Sequence, residues 1–126
     1  PQVMKMQIAD KEILLTKRNE QKHVLSASRD NPDLKMEVWT RDVTFLDMQN
    51  AAQTMFKMEN DGTASLDLEG YWRYAFRHWV LRTNPSMTPD ELSDVNAYIG
   101  EQLSSILPKP TELAEAMQGG FTKANN

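Results

Sequence analysis

The chain has 126 residues, 40% of them hydrophobic and 25% charged, with no cysteine and a formal net charge of -4. That length suits one domain with a core of its own, and the missing cysteines exclude disulfides, thiolate nucleophiles and Cys-bound metals while fitting a reducing compartment. Residues 1–42 balance their charges, whereas 43–126 are acidic, which argues against nucleic-acid binding that rests on neutralised phosphates. No stretch approaches the roughly 18 apolar residues of a membrane-spanning helix, and the opening residues lack the pattern of a secretion signal.

In chain order, residues 1–42 form a polar segment without sustained periodicity. Ile13, Leu14 and Leu15 fit a short helix opened by Asp10, a strand, or a mobile arm equally well. Asp30-Asn31-Pro32-Asp33 reads as a turn, and the alternation of Leu34, Met36 and Val38 with Lys35, Glu37 and Trp39 hints at a strand.

A helical body is expected over 43–118. Thr44, with Asp47 three positions on, caps a helix over 44–59 whose buried stripe is Phe45, Met48, Ala52, Met55 and Phe56, with Val43 and Met48 placed as a hydrophobic staple. Asn60-Asp61-Gly62 stops it. A second helix over 66–83, capped by Ser65, carries Tyr71, Trp72, Tyr74, Phe76 and Trp79 within nine positions, interleaved with Arg73, Arg77, His78 and Arg82. Leu68, Trp72, Ala75, Phe76 and Trp79 make one apolar stripe, and Tyr71, Tyr74, His78 and Leu81 a second, half-polar one. Thr88-Pro89 with Glu91 opens a third helix over 89–107, with Leu92, Val95, Ile99, Leu103 and Ile106 buried and Gly100 suggesting close approach of another helix. A short helix over 111–118 and a polar tail over 119–126 complete the chain. The expected class is mainly α, a bundle of three to five helices with a less regular N-terminal segment.

Catalytic chemistry is sparse. His23 and His78 lie far apart with no ligand at metal spacing, and no HExxH sequence, phosphate loop or serine elbow occurs. Residues 57–69 look like an EF-hand loop between two helices, yet aligning Gly62 with that loop's glycine puts Lys57 and Leu68 where the strongest carboxylate ligands belong. The expectation is a protein without catalytic residues, metal or cofactor. Tyr71, Tyr74 and Met58, rimmed by Arg73 and Arg77, are the residue types of a docking face.

Thr44-Phe45-Leu46-Asp47, the string from Gly70 to Val80 with Trp-Arg-Tyr-Ala-Phe-Arg-His-Trp at its heart, Pro85-Ser-Met-Thr-Pro-Asp-Glu-Leu92, and the closing Leu107-Pro108 together resemble the tail assembly chaperones of long-tailed, siphovirus-type bacteriophages, over roughly residues 38–110. The resemblance implies a non-enzymatic protein of the host cytoplasm, absent from the mature virion. Such proteins bind the tape measure protein, keep it soluble and recruit tail tube protein, in many phages through a frameshifted longer form; self-association is expected as well. The alternative is a small helical regulatory or nucleic-acid-binding adaptor using Arg73, Arg77 and Arg82.

Overall fold

A computed structural model describes residues 6–17 and 19–113. Its elements run α1 (Lys11–Leu14), β1 (Glu20–Ser26), β2 (Lys35–Arg41), α2 (Phe45–Gln53), β3 (Phe56–Met58), β4 (Ala64–Leu66), α3 (Leu68–His78), β5 (Val80–Asn84), α4 (Pro89–Leu92) and α5 (Ala97–Ile106). With 39% helix and 23% strand in two antiparallel sheets, the fold is mixed α and β. This corrects the expected mainly α bundle.

The larger sheet has the order β1-β2-β5, so the N-terminal segment, expected to be the irregular part, supplies two of its three strands. The hinted strand over 34–39 is β2, the central one. Alternation along β2 buries Met36, Val38 and Thr40 and turns Glu37 and Trp39 to the opposite face. Leu25 lies opposite Met36, and Thr83 opposite Val38, completing the core-facing surface. Gln102 of α5 reaches the rim of the sheet, accepting from the Ser26 backbone N–H and donating to its carbonyl, both at 2.9 Å. It thereby satisfies backbone groups at the end of an edge strand.

Each expected helix is shorter than its apolar period suggested. The first ends at Gln53, because Phe56–Met58 leaves to pair with Ala64–Leu66 as a hairpin. The aromatic helix starts two residues late, capped by Asp67 instead of Ser65, with the Asp67 carboxylate accepting from the Gly70 N–H at 2.9 Å. It stops at His78, because Val80–Asn84 pairs with β2. The third is two helices: Ser93 caps the first turn, and Asn96 opens α5 by accepting from the Ile99 N–H. Residues 110–113 begin a helical turn; the rest of the expected helix over 111–118, and the tail, lie outside the described residues. The start signals at Thr44 and Thr88 are real capping boxes, each with reciprocal side-chain bonds.

Packing keeps Ala75, Phe76 and Trp79 of the expected stripe in the core and adds Tyr71 in place of Leu68. Tyr71, Ala75 and Trp79, spaced by four, are fully buried, whereas Trp72 is only half-buried and Leu68 is exposed. Trp79 meets the Tyr71 and Tyr74 rings edge-on at 6.0 and 5.9 Å. The Tyr71 hydroxyl donates to the Pro108 carbonyl, which lets a phenol sit inside the core without an orphaned donor; burial pushes its pKa well up. Gly100 is not a helix contact: a Cβ there would meet nothing closer than a Val95 methyl at 3.9 Å. The close approach is at Gly70, where a Cβ would lie 2.9 Å from the Thr54 carbonyl of the α2 end. Of the stripe expected for the first helix, Ala52 and Met55 are buried and Met48 partly so, but Phe45 and Phe56 are exposed, and Met55 and Phe56 lie beyond the end of α2.

Trp79→Ala should lower the free energy of unfolding by about 3–5 kcal/mol, the cost of deleting a fully buried aromatic side chain. Trp72→Ala should cost less than half as much, and urea denaturation of the two variants compares them directly. The Arg41 guanidinium holds the Asp47 carboxyl well below the usual carboxylate range, helped by the Thr44 backbone and hydroxyl. A depressed folded-state pKa contributes stability above the unfolded value of about 3.9 that is lost as the pH falls below it. Asp47→Asn should therefore cost about 1–2 kcal/mol at pH 7, and the gap should close on titration below about pH 4.

Candidate docking surfaces

The five residues expected to form one docking face do not come together. Tyr71 is 0% exposed and touches no solvent. Tyr74 is half-buried, stacked on His78 at 4.2 Å. With Arg77, His78, Arg73, Thr54 and Gly70 it lines a shallow depression of about 260 Å³ at the α2–α3 contact. Arg73 also borders a larger groove on the other flank of α3, bound to Glu69 at 2.8 Å. Met58 stands apart on the small hairpin and is 71% exposed.

That hairpin is what the helical reading missed. Glu59 and Thr63 close the turn through a 2.8 Å backbone bond, and Gly62 takes the positive φ of +88° that such a turn requires. Phe56 pairs with Leu66 and Met58 with Ala64, so these four side chains share one face while Lys57 and Ser65 share the other. Phe56 is 52% exposed and Leu66 60%. Two strands alone are marginal in water; this pair is rooted by the Asp67 N–H, which donates to the Met55 carbonyl. Apolar residues alternating with polar ones on either side of Asp61-Gly62 were the available sequence signal.

The segment that looks like a calcium loop is this hairpin and the start of α3: Lys57 lies in β3, Leu68 opens α3, and the Asp61 carboxylate accepts from both the Thr63 N–H and its hydroxyl. Among the described residues no group of three His, Cys, Asp or Glu side chains is placed to hold a metal.

The outer face of the larger sheet is the other feature absent from the expectations. Arg82 lies over the Trp39 ring at 4.5 Å and grips Glu20 across the central strand with two 2.9 Å bonds. Lys22 lies over Trp39 from the opposite strand, 5.6 Å from the ring centre, and pairs with Glu37. These cations are matched by carboxylates within the sheet. Arg73 and Arg77 are on α3 and Arg82 is on β5, so the three arginines do not form a common edge.

The groove beside Arg73 has a volume of about 550 Å³ and runs between α3 and the α4–α5 pair. Trp72, Phe76, Leu92 and Val95 line it with apolar side chains, beside Ala97, Gly100, Glu69 and Glu101. Trp72 and Phe76 stack at 6.1 Å.

No protein-family model, curated protein or solved structure matches the chain. No described helix is long and apolar enough to cross a membrane.

Melting temperature should be the same in chelator and in millimolar calcium, since no ligand set binds the ion preferentially to the folded state. Differential scanning calorimetry reads this, and a stabilisation of several degrees would restore a calcium role.

Proposed function

We propose that the chain works by binding, without catalysis, as a phage tail assembly chaperone. It holds the tape measure protein soluble in the host cytoplasm, promotes addition of tail tube protein, and is left out of the mature virion. A frameshifted longer form and self-association belong to the same reading. One observation carries the binding role: the hairpin presents Phe56, Met58 and Leu66 together to solvent on one face. An apolar face on a short projecting ribbon costs solubility unless something covers it, and methionine adapts to varied partners. The similarity to tail assembly chaperones over residues 38–110 supplies the nature of the partner. Of the expected docking residues, Met58 stays central, Arg73 and Arg77 remain accessible and Tyr74 is half-buried, whereas Tyr71 serves the core. The adaptor alternative is disfavoured because Arg73 and Arg82 are already paired with Glu69 and Glu20.

Co-expression with a tape measure protein, the client this reading implies, tests this. The parent chain should keep that client soluble. Phe56→Asp with Met58→Asp should remain folded, since both side chains are exposed, and should weaken client binding about thirtyfold, the loss of roughly 2 kcal/mol expected of central anchors. Arg77→Glu should weaken it only about two- to threefold, in a salt-dependent way. A parent chain that leaves the client insoluble refutes the chaperone role, and a fully active double variant moves the binding face elsewhere.

A further inference from the structure

We propose that the groove between α3 and α4–α5 is a second docking site, for an amphipathic helical segment with aliphatic anchors flanked by Lys or Arg. The hairpin face is not part of this groove, and the inference does not require the tail-assembly reading.

Three observations converge on that occupant. Trp72, Phe76, Leu92 and Val95 give the groove an apolar lining beside two helices, a surface that suits a helix docking through side chains at turn spacing. The lining is acidic on balance. Glu69 and Glu101 belong to it, and the Asp90 carboxylate lies 4.0 Å from the Arg73 guanidinium. Arg73 is the single cation there among the described residues, and it is already engaged with Glu69 at 2.8 Å and Asp90 at 4.0 Å. A segment entering between these carboxylates gains from positive flanks and is repelled by negative ones.

The third observation is Gly100. Its backbone has no positive φ, and an added Cβ would make only an ordinary contact with Val95. Glycine is the poorest helix former after proline, so α5 carries it at position four of ten with no need in the chain's own packing. It lines the groove together with Ala97 and Ser104. A small residue there is what the close approach of another backbone requires.

The test is display selection on the full chain with a library of helical peptides carrying Leu or Ile at i and i+4 and randomised flanks. Enriched peptides should carry Lys or Arg at the flanks, bind more weakly in about 0.5 M salt, and bind Gly100→Leu about tenfold more weakly or worse. Gly100→Ala should melt a few degrees higher than the parent, because it adds helix propensity without a clash. Glu101→Lys, on an exposed side chain, should shift the selected flanks toward Asp and Glu. No enrichment over the Gly100→Leu variant, or acidic flanks on the parent, overturns the proposal. So does dissociation of a dimer by Gly100→Leu, which would give the groove to a second copy of the chain. Client solubility reads the hairpin face and the library reads the groove, so either can fail alone.

Discussion

The joint at which α3 becomes β5 constrains the rest of the structure. The helix ends at His78, Trp79 closes its last turn with a 2.8 Å bond to the Ala75 carbonyl, and Val80 is already paired with Thr40. No linker separates helix from strand, so the direction of one sets the direction of the other. Arg41 locks the joint. Its backbone N–H donates to the Trp79 carbonyl at 3.1 Å and its Nε to the His78 carbonyl at 2.8 Å, while its Nη1 donates to Asp47 at 2.7 Å. A cation thus meets the negative end of one helix dipole, and the carboxylate it also holds meets the positive end of another. The end of β2, the start of α2 and the end of α3 are thereby tied through one side chain.

Trp79 is placed by that joint, and its burial governs what the aromatic helix can offer a partner. With Trp79 inside, the residues four apart on its side, Tyr71 and Ala75, go inside too. Its indole N–H finds no acceptor among the described residues, an energetic cost accepted for the volume the ring fills. The rings left partly accessible are Trp72, which lines the groove, and Tyr74, which packs on His78. An aromatic cluster that reads as one surface is therefore divided between core, groove and depression. The exposed apolar area moves to the hairpin, whose turn separates the two helices that the chain seemed to join directly.

The surfaces differ in kind. The outer sheet face is rich in aromatic and cationic groups, but Glu20 and Glu37 satisfy its charges locally, so it presents little net field. The hairpin face is apolar and free of such pairing. The groove combines apolar lining with carboxylates that outnumber Arg73, the one cation among its described lining residues. Complementarity to a partner requires something left unmatched within the chain, and on that criterion the hairpin and the groove stand apart from the sheet.

Local chemistry was legible in the sequence. Thr44 with Asp47, and Thr88 with Pro89 and Glu91, opened helices as their side chains dictate, because a cap is satisfied within four residues and owes little to the rest of the fold. The stripe of Leu92, Ile99 and Leu103 and the alternation along β2 were likewise readable. What the sequence alone could not decide was where each helix gives way to a strand. Val80–Asn84 continues a helical pattern, and only the presence of β2, some forty residues earlier, makes extended pairing the better use of its backbone groups. Phe56–Met58 is extended because Ala64–Leu66 returns beside it. Tyr71 is buried because Pro108 brings a carbonyl to its hydroxyl. Strand pairing and the partners of buried polar groups depend on residues distant in the chain, so they belong to the tertiary structure, whereas caps, turns and periodicity are already determined by neighbours.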